Sequence, residues 1–433
     1  MTCVFELIAR KKWNEIRKLL SLVERCTRFG VEMKNVFNLS IFNGDRLNYF
    51  HFACASDDVP QDVVESMINI SQYSLIKLSG SLSLPIHYAC ATGSYETVTI
   101  ILNHLARQQQ IGERVTSLKF HLSHLDLHEC SPMERAWLHH LTTPLEMNQT
   151  ANVDCDGIIV SNLRKLTQIS SIYDLKGSIR SLWKKTTLIL LACDTDMNPS
   201  KLYDGRDWNI VHKISKSGGA NGCWCPSIVL WLALKMFPYQ TKWRDERGDL
   251  PLHILLKNAP LQILWLTKKS IIRNICKDIY SSAVSMLLHV YPEASLVKDR
   301  SGRLPLHLAI QNGTTWCGGI KLLLEKYPDS INSVDPVTKL FPFMLAASFI
   351  DKKGGSSSET TDTIFRLLQV NPSLVSIGIK ESYQEIYLNK KIQKMREERN
   401  IIFQVLRKRG FDLQCVEDEI KVCKRRKLKP RQD

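Results

Sequence analysis

No stretch of this chain is apolar for long enough to cross a bilayer. The longest uninterrupted apolar runs, 228–234 and 188–193, fall far below the roughly 20 residues that a membrane-spanning helix needs. The N-terminus reaches Arg10-Lys11-Lys12 too soon to hold the apolar centre of a secretory signal. These two absences lead to the expectation of a soluble intracellular protein, cytoplasmic or nuclear, with no membrane partner. A disulfide framework is missing as well. The 13 cysteines are odd in number and scattered, a pattern of reduced and mostly buried thiols. Cys223-Trp224-Cys225 lacks the two-residue spacing of redox and zinc motifs. The glycine-rich run 218–222 has no Lys-Ser/Thr after it to complete a phosphate cradle. No GxSxG, HExxH or kinase set occurs, and nothing pairs a nucleophile with a base. The chain reads as a non-enzyme with no cofactor.

What is present is enough to build a core. Of 433 residues, 44% are hydrophobic and 23% charged, which argues against wholesale disorder and fits either two or three domains or one array that grows by stacking. The net charge of +15 is uneven: residues 380–433 hold 16 Lys/Arg against 9 Asp/Glu.

The strongest signal is an internal repeat. Three aromatic-proline pairs, Phe237-Pro238, Tyr291-Pro292 and Tyr327-Pro328, each follow an apolar helical run. An Asp lies seven residues after each proline (Asp245, Asp299, Asp335), and a second proline follows six or seven residues later (Pro251, Pro305, Pro342). Proline after an aromatic residue ends a helix, because it lacks an N–H and pushes its predecessor out of the α region. The Asp accepts from nearby N–H groups and starts a turn, where Gly248 and Gly302 supply a positive φ. Pro251 and Pro305 suit the first turn of a new helix. Earlier copies read Tyr49-Phe50-His51-Phe52-Ala53-Cys54-Ala55 and Leu84-Pro85-Ile86-His87-Tyr88-Ala89-Cys90-Ala91-Thr92-Gly93, with His51 and His87 36 residues apart. His212, His253 and His307 take the same place in later copies, 41 and 54 residues apart, with the excess between 257 and 282.

The boxes Gly248-Asp249-Leu250-Pro251-Leu252-His253 and Gly302-Arg303-Leu304-Pro305-Leu306-His307-Leu308-Ala309 resemble the ankyrin repeat, whose signature is G-x-TPLH-x-A, in a divergent Leu-Pro-Leu-His form. The resemblance covers most of residues 5–375 and is strongest over 208–375. It implies helix-turn-helix units whose projecting turns and inner helices line a concave binding face. It also implies a structural role for His51, His87, His212, His253 and His307, which would bond backbone groups between neighbouring turns. What it implies is a binding role and not a reaction.

Taken in order, residues 1–110 read as ankyrin-like repeats, with helices over 4–22, 61–70 and 95–106. Residues 111–207 read as a degenerate or irregular helical segment. Within it Ser131 and Pro132 suit the start of a helix, and 158–169 and 179–193 look helical. Residues 208–380 return to repeats, with outer helices at 226–237 and 362–370 and a flexible insertion at 352–358. A capping helix is expected within 381–412 and a basic tail over 413–433. His121, His124, His128 and Cys130, with His139 and His140 beyond, have the residue types for zinc, and the first three could share a helical face. Structural zinc sites draw on paired cysteines, however, and only one Cys is near, so no metal site is expected.

The reading is therefore an all-α fold, an ankyrin-repeat α-solenoid of about seven to nine divergent helix-turn-helix repeats with short projecting turns. Its expected role is a monomeric protein-protein interaction scaffold. Arg244, Arg247, Lys298, Arg300 and Arg303 at the turns would meet an acidic partner surface. The alternative is a nuclear regulatory protein, directed by Lys424, Arg425, Arg426, Lys427 and Lys429 of the tail, with weak nucleic-acid contact. A reporter fused to residues 415–433 separates the two by whether it enters the nucleus.

Overall fold

Proline sets the rhythm of the short helices. A computed structural model describes residues 4–28, 47–111, 118–143, 155–192, 209–217, 225–258, 282–348 and 358–373. Within them Pro85, Pro132, Pro251, Pro305 and Pro342 each take the first helical position, where their missing N–H leaves no bond unmade. Each opens a short helix: α5 (Pro85–Ala91), α8 (Pro132–Thr142), α13 (Pro251–Lys257), α15 (Pro305–Gln311) and α17 (Pro342–Ala347). The copy without a proline, α3 (Tyr49–Ala55), begins on Asn48, whose side chain accepts from the N–H groups of Phe50 and His51. Two more helices of this kind are α1 (Val4–Ala9) and α11 (Ile210–Lys216).

These helices lie side by side in two series. In one, α1 packs on α3, α3 on α5 and α5 on α8; in the other, α11 packs on α13, α13 on α15 and α15 on α17. Behind them run α2 (Trp13–Arg28), α4 (Gln61–Ile70), α6 (Tyr95–Ile111), α12 (Ser227–Met236) and α14 (Ala283–Val290). There α2 packs on α4, α4 on α6, and α12 on α14. α9 (Cys155–Thr167) packs on α8, while α10 (Gly177–Ala192) packs on α6, α8 and α11 and so links the series. α7 (Leu118–Ser123), α16 (Lys321–Lys326) and α18 (Ser358–Val370) complete the helices, and among the described residues no strand forms.

The aromatic-proline pairs end helices as their chemistry requires. α12, α14 and α16 stop at Phe237, Tyr291 and Tyr327, and a 3-10 turn follows at Pro238–Lys242, Pro292–Leu296 and Pro328–Asn332. The core is aliphatic, with Ile86, Ile101, Leu105 and Met133 at 1% exposure or less, and Trp137 is fully buried with its indole N–H donating to Thr186 Oγ1 at 3.0 Å. The helix expected from Tyr95 extends five residues further than the pattern indicated, to Ile111, and the last one begins at Ser358 rather than 362.

By its contacts the chain divides into two units at Thr363/Ile364, within α18. Most of the expected inserted stretch at 257–282, nearly all of the insertion at 352–358, the capping helix and the basic tail with Lys424, Arg425, Arg426, Lys427 and Lys429 lie outside the described residues. No described helix is long and apolar enough to cross a membrane.

Candidate functional site

Among the described residues α5, α8, α13, α15 and α17 are each led in by one type of turn, and the turn decides which charges face solvent. Asp245 Oδ1 accepts from the N–H groups of Arg247 and Asp249 at 3.0 and 2.8 Å, and the Asp245 N–H donates to Asp249 O. Asp299 repeats this with Ser301, Arg303 and Arg303 O. Asp335 makes a turn one residue longer, accepting from Val337 N–H, Thr338 N–H and Thr338 Oγ1–H. Gly248 and Gly302 sit at φ 79° and 78°, the left-handed position where an L side chain is strained. Asp126 and Ser79 build the same turn, with Glu129 and Leu82 in the left-handed place. Both copies went unread in the sequence, though the signal was there: each lies six residues before a first-turn proline, as Asp245 and Asp299 do.

Because these carboxylates are occupied by their own backbone, the cations dominate outside. Arg244, Arg247, Lys298 and Arg300 are all exposed. Arg244 Nη1 donates to Gly248 O at 2.6 Å and to Lys298 O at 3.4 Å, which holds it across two adjacent turns.

Arg303, grouped with them from the sequence, belongs elsewhere. It is 7% exposed and grips Asp335 with Nε at 2.9 Å and Nη2 at 3.2 Å, while Nη1 donates to Gln311 Oε1. Burial would raise the Asp335 carboxyl, but the Thr338 hydroxyl and the Arg303 guanidinium hold it below the usual range. A neighbouring junction solves the same problem from another position. There Lys257 Nζ reaches Asp249 at 2.7 Å and Asp299 at 3.0 Å. Burial would push that amine down, yet the two carboxylates keep it raised. Lys257 and Gln311 are equivalent positions, as are Asp249 and Arg303, so the cation has exchanged places between helix and turn.

The five recurring histidines are buried. In His51, His87, His253 and His307, Nδ1 accepts from the N–H of residue 48, 84, 250 or 304. The proton therefore sits on Nε2, which donates across to Lys77 O and Ser83 O, His124 O, Val297 O and Ser333 O respectively. His212 donates to Asp249 O at 3.4 Å. Burial pushes the His87 imidazole down to about 4 and lowers His212, His253 and His307.

The weighed zinc set does not assemble. His124 donates to Leu82 O, the Cys130 thiol points to His128 O, and among the described residues no three His, Cys, Asp or Glu groups converge as metal ligands. An open cleft of about 1240 Å³ lies between the C-terminal ends of α3, α5 and α8 and the first turns of α10. Its reactive groups serve the fold: Lys185 Nζ donates to Ala89 O, Cys90 O and Gly93 O at the end of α5, and burial pushes the Cys90 thiol up to about 12.

One surface feature was also missed. Tyr239 and Trp243, on and just after the first 3-10 turn, are 51% and 43% exposed with ring centroids 5.2 Å apart. No protein-family model matches the chain, and no curated protein matches its sequence.

Proposed function

We propose that the chain is a divergent ankyrin-repeat solenoid that works as a non-enzymatic scaffold, binding a partner protein through the basic edge of its projecting turns. The observation that carries the reading is the division of labour in the turns. Asp245, Asp299 and Asp335 are consumed by backbone N–H groups, while Arg244, Arg247, Lys298 and Arg300 stand exposed beside them. Such a row attracts an acidic surface, speeds encounter and weakens with salt. The side-by-side packing of the inner helices and the histidine bonds from unit to unit support the repeat reading.

The test is reversal of the four exposed cations (Arg244→Glu, Arg247→Glu, Lys298→Glu, Arg300→Glu) in the full chain. The expected result is loss of the partner that the unaltered chain captures, with helical content unchanged by circular dichroism. Undiminished capture overturns the reading.

A further inference from the structure

We propose that the edge of the turns holds a one-pocket reader of extended acidic peptides: Tyr239 and Trp243 seat a single apolar side chain of the partner, and the cations of that turn and the next pair with acidic residues beside it. The inference rests on the reading of the turn edge as the binding surface and names the partner's chemistry. It starts from two large aromatic side chains left in water. Their rings meet at 57°, not stacked flat, so the pair presents an angled apolar surface to solvent, and Phe237 supports Tyr239 edge-on at 6.4 Å. Lys242 lies between them in sequence, with Nζ 5.4 Å over the Tyr291 ring of the next unit. Arg244 follows Trp243 directly and is held between the two turns. Trp, Tyr and Arg clustered in this way are the residues that dominate binding energy at protein interfaces.

Three occupants compete for such a patch, and the observations select one. A single nucleic-acid strand is held by successive stacking platforms along a basic track. Here the aromatics occur once: Glu293 and Asp329 stand where Tyr239 does, and Val297 and Ser333 where Trp243 does. A second copy of the chain would bring a net charge of +15 against a cationic edge. One apolar anchor beside cations on two adjacent turns fits a peptide with one apolar side chain and acidic neighbours. Adjacent packed helices lie about 9 Å apart and an extended chain advances about 3.3 Å per residue. The acids that meet Lys298 and Arg300 therefore lie about three residues from the anchor.

The experiment measures fluorescence polarisation of labelled probes with the full chain: a peptide of alternating Glu and Ser with one central Leu, the same peptide with Ala for Leu, the same with Gln for Glu, and oligothymidylate. The expected order is tightest binding of the Leu peptide, at least tenfold loss on Leu→Ala, and loss of binding on Glu→Gln. Tyr239→Ser with Trp243→Ser should erase the preference for Leu over Ala while leaving the salt-sensitive part of binding. Trp243→Phe should restore most of it. If the double variant melts lower, Tyr239→Ser alone is used, with the same expectation. Equal affinity for the Leu and Ala peptides, tighter binding of oligothymidylate, or self-association that the double variant abolishes each overturns the proposal. Failure here is separable from failure of the wider reading. A captured partner lost on Arg244→Glu with Lys298→Glu but kept by the aromatic double variant leaves the basic edge standing and removes the anchor. A partner kept by both variants removes the edge as well.

Discussion

Replacing Arg303 by methionine tests whether the buried ion pairs hold adjacent turns together. Methionine retains the apolar stem and removes the fork that grips Asp335. Asp335 is then left fully buried without its counter-ion, and breaking a buried pair from one side costs about 3–5 kcal/mol. The carboxylate keeps the Thr338 hydroxyl at 2.7 Å and the N–H groups of Val337 and Thr338, so the lower end, about 3 kcal/mol, is expected. Asp335 ionises in the folded state below its ordinary 3.8. Its contribution is complete above that value and is lost as pH falls through the depressed folded value. The penalty of Arg303→Met should therefore be full at neutral pH and shrink toward zero in acid. Lost packing would cost the same at both. Urea unfolding followed by circular dichroism at the two pH values reads the difference. A cost below about 1 kcal/mol, or one independent of pH, refutes the reasoning. The swap Arg303→Asp with Gln311→Lys rebuilds the Asp249–Lys257–Asp299 arrangement at the next junction and should recover most of the lost stability.

Acid should also loosen the histidine bonds. A folded-state value near 4 for His87 against an ordinary 6.5 makes its contribution complete above 6.5, declining as pH falls and gone below about 4, on the order of 3 kcal/mol in all. Asp126 and His124, the charged groups facing it, oppose each other. His87→Gln should be less stable at pH 7 and flatter between the two values, and parallel urea-midpoint curves would count against the assignment. Gly93→Ala should cost about 3 kcal/mol or more, because its Cβ would lie 2.2 Å from the Cys54 carbonyl oxygen. Gly248→Ala meets nothing within 4 Å and should cost only the strain of φ 79°, about 1–2 kcal/mol. Thermal melts that reverse this order would contradict the close approach at Gly93.

The helices and their punctuation were legible because local chemistry decides them. Proline at the first position, aromatic-proline at the end and an apolar period of three to four act within a few residues. The turns at Ser79 and Asp126 escaped because neither follows an aromatic-proline pair, so the offset of six to the next proline was the only cue left. Arg303 was misread for a tertiary reason. A charged residue next to a turn is exposed by default, and nothing within its own unit reveals that Asp335, 32 residues later, folds against it. Lys185 is similar: a lysine beside Trp183 becomes a buried clamp only because the end of α5, more than ninety residues earlier, presents three carbonyls to it. The exposure of Tyr239 and Trp243 was hidden likewise, since an aromatic residue near a helix end reads as core until the neighbouring elements are placed.

The turns separate what the fold requires from what a partner can read. The first residue must accept two N–H groups, the residue three or four places later must take a left-handed φ, and the histidine beyond must span two units. The side chains just before the Asp and at the two positions just after it carry none of these duties; the second of those positions contributes only its backbone N–H. They are Arg244, Glu246 and Arg247 in one turn, Lys298, Arg300 and Ser301 in the next, and Val334, Pro336 and Val337 in the third. The surface thus changes character along the edge, from aromatic and basic, to basic, to apolar, with Val334 and Val337 39% and 59% exposed. Apart from the Arg244 bonds to Gly248 O and Lys298 O, the side chains at these positions make none of the turn's hydrogen bonds given above, so the edge can be rewritten for a different partner without rebuilding the units beneath it. Asp249 and Arg303, two residues before their prolines, lack that freedom: Arg303 pairs with Asp335 of the next turn, and Asp249 holds Lys257, which reaches Asp299 of the next.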